Sequence, residues 1–333
     1  MDRNHMLDFL KGIGCIGVVF MHIPFPGLFG DIVHETAQAA VPIFIMISGY
    51  YAYGCSEEII KKRTIRILKI FLFSLFCFTT YNCFKHILEG DLDIWMMQYF
   101  TFGSLLKLII FCTIDFAIPL WYLIAIVETY IVWQFIVKLR KEEKFEKMIP
   151  ILFVFQILLT TVCETIDLEW FWKTNFISNA LPFFALGHYI CGLNERKVIQ
   201  NIKVKLIFSL VLLGYLITMI HIFVKMPIDI SCAGIALYSV GLFLLAIKYP
   251  NYFQRKAMIY IGKKLSLDVY IFHTLIAGVI SVILKQFMNT EGVIYPWFRP
   301  ILVVCITLVF AFVINKLKES KPLMINASKD VEL

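Results

Sequence analysis

Apolar runs close to 20 residues long follow one another along the chain, separated by short polar segments rich in Lys and Arg. A helix needs ~20 predominantly apolar residues to cross a bilayer. Ten spans are predicted, over 7–23, 36–54, 67–87, 119–137, 149–163, 175–193, 204–223, 230–248, 264–284 and 299–316. The fifth is short. The stretch 103–114 is apolar but too short to span, and reads as a half-helix or interfacial segment. Pro24 is expected to end the first helix just after His22, and Pro42 to kink the second. Ser48 and Gly49 suit a close approach between helices.

The basic residues orient these spans. With the N-terminus in the cytoplasm, the inner segments hold 25 Lys and Arg and the outer segments six. Such an excess marks cytoplasmic loops. The expected fold class is therefore all-α, a polytopic membrane protein of about ten transmembrane helices with both termini cytoplasmic. Residues 1–318 form one membrane domain, and 319–333 a short charged tail expected to be disordered.

Composition agrees. Hydrophobic residues make up 60% of the 333 and charged residues 17%, with mean hydropathy +0.79. A soluble domain of this size carries more charge. The net charge of +7 is spread over the loops and forms no nucleic-acid surface. The nine cysteines stand singly, without CxxC or His/Cys metal spacing. They read as small buried side chains, with no disulfide framework and no metal. The first apolar run has no small-residue cleavage site, so it is expected to remain as a helix.

That first run, Leu7 to His22, holds Asp8, Lys11 and His22. Charge at membrane depth is costly and marks function by default. Asp8 and Lys11 are three apart and share a helix face. Lys11 and His22 are eleven apart, so they share a face ~16 Å apart along the axis. The pattern reads as one wall of a site, with a cationic entrance and a histidine deep inside. The alternative is that Asp8 and Lys11 mark the helix start and reach out to water. Arg63 and Arg66, one turn apart at the start of helix 3, could clamp a phosphate. They also fit the ordinary basic inner loop near anionic lipid heads.

These residues resemble a known family. Leu7-Asp8-Phe9-Leu10-Lys11-Gly12 running to His22, Phe44-Ile45-Met46-Ile47-Ser48-Gly49-Tyr50 and Arg63-Thr64-Ile65-Arg66 are similar to motifs of the acyltransferase-3 family of integral membrane acyltransferases. So are Pro119-Leu120-Trp121-Tyr122-Leu123, Leu181-Pro182-Phe183-Phe184-Ala185-Leu186-Gly187 and the stretch Ile261 to His273, with Gly262, Ser266, Tyr270 and His273 in register. The resemblance covers nearly the whole chain. It implies transfer of an acyl group, commonly acetyl, from cytoplasmic acyl-CoA to a hydroxyl of a surface or lipid-linked carbohydrate. It places the catalytic base at His22, a further tyrosine at Tyr122, and the acyl-CoA site at Arg63 and Arg66. Lys11 stands where the family often has Arg, which keeps the charge but removes the fork geometry.

The chemistry is coherent. A sugar hydroxyl is a poor nucleophile, and a neutral imidazole can take its proton as it attacks a thioester. Cations at the cytoplasmic face suit the phosphates of acetyl-CoA. The oxyanion needs a donor, for which Tyr122 and Ser48 are candidates. Glu128 is expected to pair with a basic group, and His188, His221 and His273 to be structural hydrogen-bonders. The outer segments 91–95, 164–172 and 295–297 mix aromatics with polar residues, as sugar-stacking surfaces and interfacial belts both do. With only a short tail after the last helix, the membrane domain is expected to complete the transfer itself or hand its group to a separate protein. The partners implied are the glycan acceptor and membrane lipids, in a bacterial plasma membrane, with no nucleic acid. Two other readings remain open: a transport module for a small polar substrate such as an amino acid, and a non-catalytic member of a glycan-synthesis complex.

Overall fold

A computed structural model describes residues 3–224, 230–287, 292 and 294–320, with side chains unassigned at 285–287. These residues are 85% helical, and no strand occurs among them. The N-terminal helices are α1 (His5–His22), α2 (Gly27–Ala37), α3 (Ala40–Tyr50) and α4 (Glu57–Glu89). Next come α5 (Leu92–Tyr99), α6 (Phe102–Phe111), α7 (Trp121–Lys138), α8 (Glu142–Glu146) and α9 (Ile149–Thr165). The chain continues with α10 (Leu181–Glu195), α11 (Val198–Asn201), α12 (Val204–Phe223) and α13 (Ser231–Lys248). It ends with α14 (Lys256–Tyr260), α15 (Ser266–Phe287) and α16 (Ile294–Ser320).

Among the described residues, nine helical segments are long and apolar enough to cross a membrane. The remaining expected span, the fifth, is α9, 17 residues long, which falls just short by length. Chain breaks follow the local sequence. Helix α1 stops at His22, two residues before Pro24. The second span begins earlier than hydropathy suggests, at Gly27, and bends at 38–39 just ahead of Pro42. Helix α7 starts at Trp121 because Pro119 sits in a 3-10 turn, Asp115–Leu120. The apolar piece expected at 103–114 forms α6, only ten residues long. Helix α16 runs to Ser320, and the tail from 321 lies outside the described residues.

The chain divides into two compact units. The first comprises Met1–Phe44, Val198–Ile222 and Ile235–Leu333. Its centre is α1, which packs on α2, α14, α15 and the π-helical turn Ile261–Leu265. The closest crossing is made by glycines. A Cβ on Gly262 would collide with the Asp8 carbonyl, and one on Gly12 with the Met258 carbonyl. Asn4 anchors the start of α1. Its Oδ1 accepts from the Leu7 amide at 3.0 Å and its Nδ2 donates to the Ala246 carbonyl at 3.0 Å. Asn4→Ala removes both bonds and is expected to cost about 1–2 kcal/mol. A lowered midpoint in thermal unfolding of the detergent-solubilised protein checks this.

The second unit comprises Ile45–Lys197 and Phe223–Gly234. Helix α4 packs along α7 there. At 33 residues α4 is about 50 Å long, well beyond the ~30 Å hydrocarbon core. Its first turns, with Lys61, Lys62, Arg63 and Arg66, therefore extend past the apolar zone. Helices α3 and α10 meet through Gly49 and Gly187, whose Cβ positions are filled by the carbonyls of Phe184 and Met46. For Gly49 this is the close approach expected. Tyr130, Trp133 and Phe184 are fully buried beside it, with ring centroids 5.1 Å apart for both the Tyr130–Phe184 and Trp133–Phe184 pairs.

Candidate active site

The first unit carries polar groups at both ends of α1. Near its start, Asp8 is buried and takes a forked contact from Arg3, Nε to Oδ2 at 2.7 Å and Nη2 to Oδ1 at 3.3 Å. Lys11 Nζ lies 3.9 Å from Asp8 Oδ1. The Lys11 side chain is only 14% exposed, so the pair does not reach out to water. Two cations meet one carboxylate, which leaves a local excess of one positive charge. Gly12 and Gly262 hold the packed crossing directly beside it.

At the far end of α1 stands His22, about 16 Å from Lys11 along the axis. It is not deep inside, as the sequence suggests, but exposed. The helix ends at this residue, and the chain turns away at Pro24. The ring of His273, on α15, lies 5.0 Å away between centroids. His34 is within electrostatic reach of His22. His34 opens a second group of polar residues around a buried Glu35. Glu35 accepts from Gln38 Nε2 at 2.7 Å, meets His34 Nδ1 at 3.2 Å, and faces His221 Nε2 at 3.6 Å. Phe29 and Trp297 stack at 5.8 Å in the same unit, both largely exposed.

The second unit joins three of the sequence motifs. Arg63 is buried, and its Nη1 donates to the Tyr51 carbonyl at 2.6 Å. Its guanidinium also lies close to the Tyr130 hydroxyl. Tyr130 in turn reaches the Ser48 carbonyl at 3.4 Å. The Ser48 side chain shares a hydrogen bond with Tyr122, at the start of α7. Arg63, Ser48 and Tyr122 are thus linked in one run, and Arg63 Nε has no partner among the described residues. Arg66 is exposed on the outer side of α4, while Arg63 faces inward.

Other expectations change. Among the described residues Glu128 does not pair with a basic group; it accepts from the Cys112 thiol at 3.0 Å, since α7 presents it to Cys112 just beyond α6. Trp95 is not a sugar platform. It is buried and stacked on His86 at 5.4 Å, with Phe116 at its edge. His188 is buried and bonded to Glu146 at 2.7 Å, as a structural histidine should be. His221 bonds the Thr218 carbonyl at 2.7 Å. All nine cysteines are free thiols; four are buried and Cys305 is exposed.

The residues missed in the sequence are His34, Glu35 and Gln38. His34 and Glu35 sit in α2 and Gln38 just after it, and hydropathy places α2 largely outside the span. The adjacent His34 and Glu35 were the available signal.

Neither the curated proteins nor the solved structures offer a match to this chain. The family comparison does. Residues 4–316 match the acyltransferase-3 family, whose description is an acyltransferase domain. The match spans both compact units and every motif quoted above. The chain therefore belongs to the acyltransferase-3 family and is an integral membrane acyltransferase.

Proposed function

We propose that the protein is an O-acyltransferase of a bacterial plasma membrane. It moves an acyl group, most simply acetyl, from cytoplasmic acyl-CoA to a hydroxyl of a cell-surface or lipid-linked carbohydrate. Both termini lie in the cytoplasm. The observation that carries this reading is the state of His22. Its imidazole is exposed at the end of an intramembrane helix and makes no hydrogen bond among the described residues. A base must be free to meet the proton it removes.

In this reading His22 takes the proton of the acceptor hydroxyl as its oxygen attacks the thioester carbon. The carbon–sulfur bond breaks, and the proton passes to the departing thiolate of CoA. Tyr122, with a hydroxyl tied to Ser48, belongs with Arg63 to the run of polar groups assigned to the acyl donor. Arg63 and Arg66 provide charge for the donor phosphates. Lys11 keeps positive charge on the helix that carries the base. The exposed stack of Phe29 and Trp297 offers a face on which a sugar ring can lie.

Two experiments test this. Inside-out vesicles containing the protein are given radiolabelled acetyl-CoA. Label should enter an alkali-labile fraction, as an ester does. No label in that fraction contradicts the reading and favours the transport module. Arg63→Ala is expected to raise the KM for acetyl-CoA about 10- to 100-fold, the worth of one or two charge-assisted hydrogen bonds. Arg63→Lys restores little, because an ammonium cannot reproduce the guanidinium fork.

A further inference from the structure

The two ring nitrogens of His273 have different fates. Nδ1 lies 2.7 Å from the Tyr270 carbonyl and 3.2 Å from that of Val269. A carbonyl only accepts, so Nδ1 carries the proton. On a neutral ring this leaves Nε2 as a bare acceptor. Nε2 is buried without a partner among the described residues, on a residue that is 0% exposed. Buried acceptors almost always have a donor, so an orphan needs an explanation. The ring beside it is His22, 5.0 Å away and tilted by 42°. His22 ends its helix, and no protein hydrogen bond holds it among the described residues. A turn of that side chain brings an N–H within reach.

We propose that His273 is the positioning residue for His22, its Nε2 accepting the N–H of His22 and so fixing the tautomer whose other nitrogen faces the acceptor hydroxyl. The idea rests on the proposed role of His22. A base oriented by a third group is the general logic of such sites. Here the orienting group is an imidazole locked by two backbone carbonyls. His34, the other ring within electrostatic reach of His22, is already engaged with Glu35 through its Nδ1 at 3.2 Å. The proton balance is simple. The hydroxyl proton goes to the bare nitrogen of His22 and from there to the CoA sulfur. His273 neither gains nor loses a proton.

The test uses the full-length protein in lipid nanodiscs with nitrogen-15 histidine. The His22 signals are identified by their loss in His22→Gln. The expected wild-type result is one protonated and one bare nitrogen, in a single tautomer. His273→Asn keeps a polar group near the Nδ1 position but nothing at Nε2, so the His22 signals should average between tautomers. His273→Gln extends an amide oxygen toward the Nε2 position and should restore the single form. Kinetics give the second readout, with acetyl-CoA as donor and water as acceptor. His273→Asn should lower kcat about 10-fold or more with KM for acetyl-CoA unchanged, and His273→Gln should regain most of it. Averaged signals in the wild type, or His22 signals indifferent to His273→Asn, overturn the proposal. A single tautomer that depends on His273, combined with full CoA release by His22→Gln, supports the pairing and removes instead the catalytic role of His22.

Discussion

His22→Ala is expected to lower acyl transfer about 10²- to 10⁴-fold while leaving the protein folded. The loss corresponds to about 2.7–5.5 kcal/mol of transition-state stabilisation. The structure explains why activity and stability should part company here. The imidazole is exposed, ends its helix, and makes no hydrogen bond among the described residues. Its removal costs at most the one proposed contact with His273, and stability should change by no more than about 1 kcal/mol. The helix still stops at Pro24, so the backbone path is unchanged. The KM for acetyl-CoA should also hold, because the proton moves only as the ester forms. Initial rates with radiolabelled acetyl-CoA, beside a thermal unfolding curve, give both numbers.

Gly262→Val should do the reverse and remove the fold of the first unit. A Cβ at Gly262 would stand 2.7 Å from the Gly12 amide nitrogen and collide with the Asp8 carbonyl. These atoms are backbone on a packed helix, so no side chain can swing aside. The helix and the π-helical turn would have to separate. Overpacking of this kind costs about 3 kcal/mol or more. The same crossing carries the Arg3–Asp8–Lys11 group, so parting it would also open a buried ion pair. Breaking such a group from one side is strongly destabilising. The expected result is loss of a monodisperse peak in detergent size-exclusion chromatography. Gly103→Val is the control. A Cβ there meets only Thr101 Oγ1 at 3.7 Å, and the peak should survive.

These two residues also show what hydropathy and motif can carry. The run from Leu7 to His22 was legible as a helix with Asp8, Lys11 and His22 on one face, because period and length are local properties. Their partners were not. Arg3 precedes the apolar run, and nothing in spacing ties it to Asp8. The polar group around Glu35 was hidden because His34 and Glu35 depress the hydropathy of α2, although His221 on a distant helix faces the carboxylate. Gly262 was visible as a motif position, yet its purpose depends on a helix some 250 residues earlier in the chain. Arg63 and Arg66 looked equivalent by their one-turn spacing. A three-residue step rotates the second side chain by about 60° from the first, and here that separates a buried guanidinium from an exposed one. His22 looked deep by its distance from the basic end, but depth along an axis is not burial.

The central claim is that this membrane protein esterifies a surface carbohydrate using His22. The most direct measurement is the O-acetyl content of surface polysaccharide, read by NMR, in cells making the wild type or His22→Ala at matched membrane levels. The account predicts an O-acetyl signal with the wild type that is lost with His22→Ala. An ester of equal intensity in the His22→Ala cells, or none with the wild type, would contradict it.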